Sequence, residues 1–185
     1  MADAIKITTP MTDDQVEKLH AGDNVLITGV IFSARDSAHK KLVDLLDENK
    51  PMPVDLQGQL VYYVGPSPTR PGQAIGSAGP TTSGRMNAYA PRLLAVGSKG
   101  MIGKGEMNKN VAEALKKYKG VYMVAVGGAA ALIAKSIKST KVVAYEDLGA
   151  EAIQEMTVVD FPAVVAQDCH GGNIYVEGRA QFEIK

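Results

Sequence analysis

The hydrophobic pattern divides the chain into short apolar runs that alternate with amphipathic stretches. Residues 24–33 (NVLITGVIFS) are too continuously apolar and β-branched for a solvent-facing strand, which predicts a central strand buried on both faces. Residues 36–48 follow directly, with Ala38, Leu42, Leu45 and Leu46 at helical spacing among charged residues and Asp36 or Ser37 placed to cap the start. The predicted order is strand, tight turn, helix. Upstream, residues 4–8 read as a short strand, and Thr12-Asp-Asp-Gln15 has the spacing of a capping box that starts a short helix at Asp13.

Residues 49–80 carry Pro51, Pro53, Pro66, Pro68 and Pro71 with several glycines, so loop is predicted there, interrupted by one strand at 60–64 (LVYYV). Small hydroxyl residues then open a predicted helix over 86–96, capping its start. Beyond it the pattern predicts a helix at 109–118, a strand at 120–126, an Ala-rich helix at 128–137 and a strand at 141–145, which is βαβ alternation. The C-terminal part reads as strands at 152–159, 163–166 and 173–176 joined by turns. These elements predict an α/β fold with a mixed sheet.

Composition narrows the function classes. With 185 residues, 45% of them hydrophobic, the chain fits one domain over 1–185 with a substantial core. Lys plus Arg and Asp plus Glu both count 20, so no global field favours nucleic acid or an anionic membrane, and any anion site must be local. No basic-then-apolar N-terminal segment and no apolar run of roughly 18 residues is present, so a soluble cytoplasmic protein is expected. The one cysteine, Cys169, excludes an intrachain disulfide and cannot by itself hold an iron–sulfur cluster, so no metal is expected on this chain.

The glycine-rich segment 97–105 (GSKGMIGKG) fits neither nucleotide-binding template. Ser98 stands where a P-loop needs glycine, Gly105 follows Lys104 where it needs Ser or Thr, and Asn108 falls on the last glycine of the dinucleotide spacing. His20, His39 and His170 lack metal-ligand spacing and read as surface or loop imidazoles. Cys169 sits in a polar turn and reads as a thiol without a nucleophilic role.

Three spots remain where a cation or hydroxyl meets a helix start or a glycine turn. Arg35 follows the buried strand and precedes a helix, where a guanidinium would suit a carboxylate, although an arginine at a strand end is also commonly solvated or ion-paired. The turn from Gly79 to Arg85 offers glycine-exposed amides with Thr81, Thr82, Ser83 and Arg85, either an anion cradle or a plain capped turn. Lys104 lies between Gly103 and Gly105, with little bulk to screen its ammonium. Three such spots in a net-neutral chain point to a small, multiply charged anion such as a dicarboxylate.

Five motifs carry a resemblance over nearly the whole chain: Thr28-Gly-Val-Ile-Phe-Ser-Ala-Arg-Asp-Ser-Ala-His39, Gly79-Pro-Thr-Thr-Ser-Gly-Arg-Met86, Ile102-Gly-Lys-Gly105, Gly127-Gly-Ala-Ala130 and Asp160-Phe-Pro162. In order and content they resemble the β subunit of the class I (iron–sulfur) fumarase and L-tartrate dehydratase family, equivalent to the C-terminal domain of the single-chain enzymes. The resemblance implies a swivelling β/β/α domain that closes over a 4Fe-4S cluster held by cysteines of a partner α subunit. It further implies a hetero-oligomer, with a homodimer as the state of the chain alone, and a dicarboxylate substrate. By motif, Arg35, Arg85 and Lys104 would hold substrate carboxylates and Thr81 would be catalytic, relaying a proton to an aspartate of the α subunit. Asp36 would support the site by orienting Arg35 or by capping its helix. Reversible hydration of fumarate to malate is the leading expectation, followed by tartrate dehydration, with a non-catalytic dicarboxylate-binding or scaffold subunit as the reading of another class.

Overall fold

The computed structural model describes residues 4–126 and 128–183; the first glycine of the Gly127-Gly-Ala-Ala motif lies outside them. Seven strands form one mixed sheet: β1 (Ile5–Thr8), β2 (Asn24–Ser33), β3 (Leu60–Tyr62), β4 (Gly100–Gly103), β5 (Val121–Val124), β6 (Ile137–Ala144) and β7 (Ile153–Gln167). The order is β1-β2-β3-β4-β5-β7-β6, and β7 also pairs with β2, so β2, β3, β4, β5 and β7 close into a ring. Strands β1 to β5 run parallel to one another, whereas β7 runs antiparallel to β2, β5 and β6.

Parallel strands are buried on both faces, and alternate residues supply two cores. Leu60, Tyr62, Ile102, Val121 and Met123 join one cluster with alternate residues of β7, while Val61, Tyr63, Met101 and Tyr122 join a second. Three helices complete the second cluster: α2 (Asp36–Asp47), α3 (Ala90–Ala95) and α4 (Lys109–Tyr118). The first receives Val16 of α1 (Asp13–Glu17) and Ile133 of α5 (Ala130–Ser136). The capping box is present, with Thr12 accepting the Gln15 amide and Gln15 accepting the Thr12 amide. No helix among the described residues is long and apolar enough to cross a membrane.

Several expectations change. The strand β4, GMIG, arises from the segment read only as a failed nucleotide loop; it is buried throughout because β3 and β5 flank it, although two of its four residues are glycine. The helix expected over 86–96 is two pieces, a 3-10 segment Ser83–Ala88 and α3, because Pro91 has no amide to continue the first. Thr82 occupies the cap position there without a side-chain hydrogen bond. The strands expected at 152–159 and 163–166 are one, since Asp160 takes φ 51° and donates its amide to Thr28 Oγ1, bulging β7 without ending it.

The strand expected at 173–176 is instead the start of α6 (Ile174–Phe182). Asn173 Oδ1 accepts the Tyr175 amide and Glu177 Oε1 accepts the Asn173 amide, so local capping overrides the β-branched Ile174 and Val176.

Candidate active site

Because β2 to β5 run parallel side by side, their C-terminal ends share one rim, the end of such a sheet where ligands commonly bind. Arg35 follows β2 and Lys104 follows β4. Between them the chain inserts residues 80–83: Val64 bridges Pro80 and Thr82 bridges Lys104. Thr81 donates its amide (2.8 Å) and its hydroxyl (3.0 Å) to the Tyr63 carbonyl, just past β3. Lys104 donates its amide to the Thr81 carbonyl (3.2 Å), and Ser83 donates its amide to the Lys104 carbonyl (2.9 Å). The amides of Thr81 and Ser83 are therefore engaged in holding the turn, so these two belong to no anion cradle.

Ser83 is buried and has a structural part. Its Oγ accepts the Lys104 amide at 3.1 Å and lies 2.8 Å from the Tyr122 hydroxyl, which donates to the Gly105 carbonyl. A Cβ on Gly103 would run into that Oγ, which is the reason for glycine before Lys104. Lys104 itself is exposed, with no ion pair among the described residues. Thr82 is also exposed.

Arg35 is the cap residue of α2, and neither Asp36 nor Ser37 caps that helix with its side chain. The cap comes from Glu151, whose Oε2 accepts the Ser37 amide at 3.1 Å while Oε1 pairs with Arg35 at 3.5 Å. Asp36 does not orient Arg35; its Oδ1 pairs with Arg85 Nε at 3.1 Å. The Ser37 hydrogen bond, with the positive charges of Arg35 and Arg85, holds the Glu151 carboxyl below its ordinary range against the opposing effect of burial. The Arg35 guanidinium lies over Gly65, where any Cβ would collide with it.

His39 is not a surface imidazole. It is fully buried, and desolvation pushes it down to about 4. His20 and His170 are exposed and stacked with ring centroids 4.9 Å apart. Cys169 follows the C-terminal end of β7. Since β7 is antiparallel to β5, with Tyr122 opposite Gln167, that end lies across the sheet from the rim.

The structure thus gathers Arg35, Asp36, Thr81, Thr82, Ser83, Arg85 and Lys104 on one edge of the fold. The family model described as "Fumarase C-terminus" matches residues 1–178. The chain belongs to this family. A fumarase C-terminus relative from Methanocaldococcus jannaschii, "Putative L(+)-tartrate dehydratase subunit beta", is 38% identical over 173 residues, 90% of this chain and 89% of that protein. "Fumarate hydratase class I, aerobic" of Escherichia coli (strain K12) is 38% identical over 175 residues, 92% of this chain and 32% of its own length. "Fumarate hydratase 2" of Leishmania major is 38% identical over 163 residues, covering 87% and 29%. The chain therefore spans about a third of these fumarate hydratases and most of the tartrate dehydratase subunit.

Sequence reasoning missed Glu151. It lies 114 residues from Ser37, and only closure of the fold brings it to Arg35.

Proposed function

We propose that this chain is the β subunit of a two-subunit class I hydro-lyase, a soluble cytoplasmic enzyme that hydrates fumarate to malate reversibly. The observation carrying the reading is that Arg35, Arg85, Lys104 and Thr81 stand on one rim, with Arg85 about half exposed (48%) and Lys104 exposed. An open edge of this kind suits a site completed by another chain.

Arg35 and Arg85 hold carboxylates already, Glu151 and Asp36, and a substrate dicarboxylate would exchange for one or both. A guanidinium fork binds a carboxylate bidentately, and Lys104 adds a point charge. Together they offset the charge that grows on a carboxylate as the neighbouring carbon loses its proton. The Thr81 hydroxyl rests on a carbonyl, which orients it but takes no proton. Thr81 can therefore accept a substrate proton only by passing its own to an acceptor, which we assign to the α subunit.

The family resemblance brings a 4Fe-4S cluster, and the donors of this chain do not fit one. Its single cysteine lies across the sheet from the rim, and clusters take three or four thiolates. We assign the cluster to the α subunit and derive no step through it.

Tartrate dehydration is the second reading, favoured by the match over 89% of the putative tartrate dehydratase subunit. Anaerobic reconstitution with the α subunit, assayed on fumarate, malate and both tartrate enantiomers, separates the two. Thr81→Ala and Arg85→Ala should each lower turnover of the preferred substrate by about a hundredfold or more. Full activity in both variants would leave this chain a scaffold.

A further inference from the structure

The turns that carry the proposed site residues rest on one buried pair of rings. His39 lies one helical turn beyond Arg35, and its Nδ1 is 2.8 Å from the Arg35 carbonyl, which also accepts the His39 amide at 2.8 Å. A carbonyl only accepts, so Nδ1 carries the proton and the neutral imidazole is the Nδ1–H tautomer. Burial, which pushes the imidazole down to about 4, keeps it neutral at pH 7.

The Tyr63 ring meets this imidazole edge-on, with centroids 5.2 Å apart and planes at 73°. The same ring packs against Gly103, directly before Lys104, and the Tyr63 carbonyl holds both the amide and the hydroxyl of Thr81. Arg35, Thr81 and Lys104 are therefore each within one residue or one hydrogen bond of the pair.

An imidazole is an expensive way to fill this space. The His39 Nε2 is buried with no hydrogen-bond partner among the described residues, as is the Tyr63 hydroxyl, and a leucine at position 39 would bring no unpaired polar atom of its own. The one thing histidine adds over an apolar side chain is the second hydrogen bond to the Arg35 carbonyl.

We propose that His39 is a positioning residue for the carboxylate site: its Nδ1–H fixes the turn that presents Arg35, and its contact with Tyr63 ties that turn to those of Thr81 and Lys104. The proposal rests on the dicarboxylate reading of Arg35, and its structural half can be tested without it.

In the lone chain, long-range nitrogen–proton NMR of the histidines should report His39 as the Nδ1–H tautomer; an Nε2–H signal overturns the proposal. In the reconstituted enzyme, His39→Asn keeps an amide donor near the place of Nδ1, whereas His39→Phe keeps only a ring. His39→Phe should raise KM for the dicarboxylate about ten- to a hundredfold with kcat less affected, and His39→Asn should hold KM within about threefold. Equal KM values in the two variants, with only thermal midpoints shifted, would reduce His39 to a core residue and overturn the proposal. If His39→Phe does not fold, the tautomer and the KM of His39→Asn decide. If the unvaried pair turns over no dicarboxylate, the functional reading fails, while the tautomer still decides the contact with Arg35.

Discussion

Arg35 is held by Glu151 at its guanidinium and by His39 at its carbonyl, and Gly65 leaves the guanidinium the room it occupies. Its own position was legible, because an arginine between an apolar strand and a helix start stands out. Its supports were not, since a buried histidine and an exposed one look alike in a helical pattern, and Glu151 is joined to the site only through tertiary packing. The buried imidazole has a pH signature. Its value is lowered from 6.5 to about 4, so between those values the unfolded chain binds a proton that the folded chain does not. More protons on the unfolded state means that stability rises with pH. The wild type should accordingly lose about 1.4 kcal/mol per pH unit from this group as pH falls from 6.5 towards 4, a slope that His39→Asn lacks. Urea midpoints of the two proteins across that range check it; a difference independent of pH would mean that His39 protonates inside the fold.

At the scale of elements, the long apolar strand, the amphipathic helices and the first cap could be read from periodicity, because each is specified by residues close in sequence. β4 could not, since its strand character comes from β3 and β5 on either side and not from Gly100 and Gly103. The turn 80–83 shows the same dependence: the amides of Thr81 and Ser83 looked free in the sequence, but they bond to carbonyls just past β3 and β4. Ser83 is the hub of that arrangement. Ser83→Ala removes one of the two acceptors of the Lys104 amide and the neighbour of the Tyr122 hydroxyl, and should cost about 1–2 kcal/mol in a urea titration. A change near zero would show that the remaining Lys104 bond to the Thr81 carbonyl holds the turn unaided.

For the whole molecule, the α/β class and mixed sheet followed from the order of elements, but closure of the ring did not. It depends on β7 continuing through Asp160 and reaching both β2 and β5, which a positive-φ bulge hides from strand periodicity. The scale also carries a prediction about assembly. Purified alone, the chain should turn over neither malate nor fumarate, and activity should appear only on adding the α subunit; hydratase activity in the lone chain would refute the division of labour proposed above.

The ring has a mechanical consequence. With β2 and β5 joined on one side through β3 and β4 and on the other through β7, neither can slide without breaking ladders in both directions around the circuit. The spacing between Arg35, Thr81 and Lys104 is thus fixed by strand register, like teeth cut in one gear. In the enzyme proposed above, docking on the α subunit or parting from it would carry the three as a set, and substrate capture would be a matter of bringing one preset edge to its counterpart.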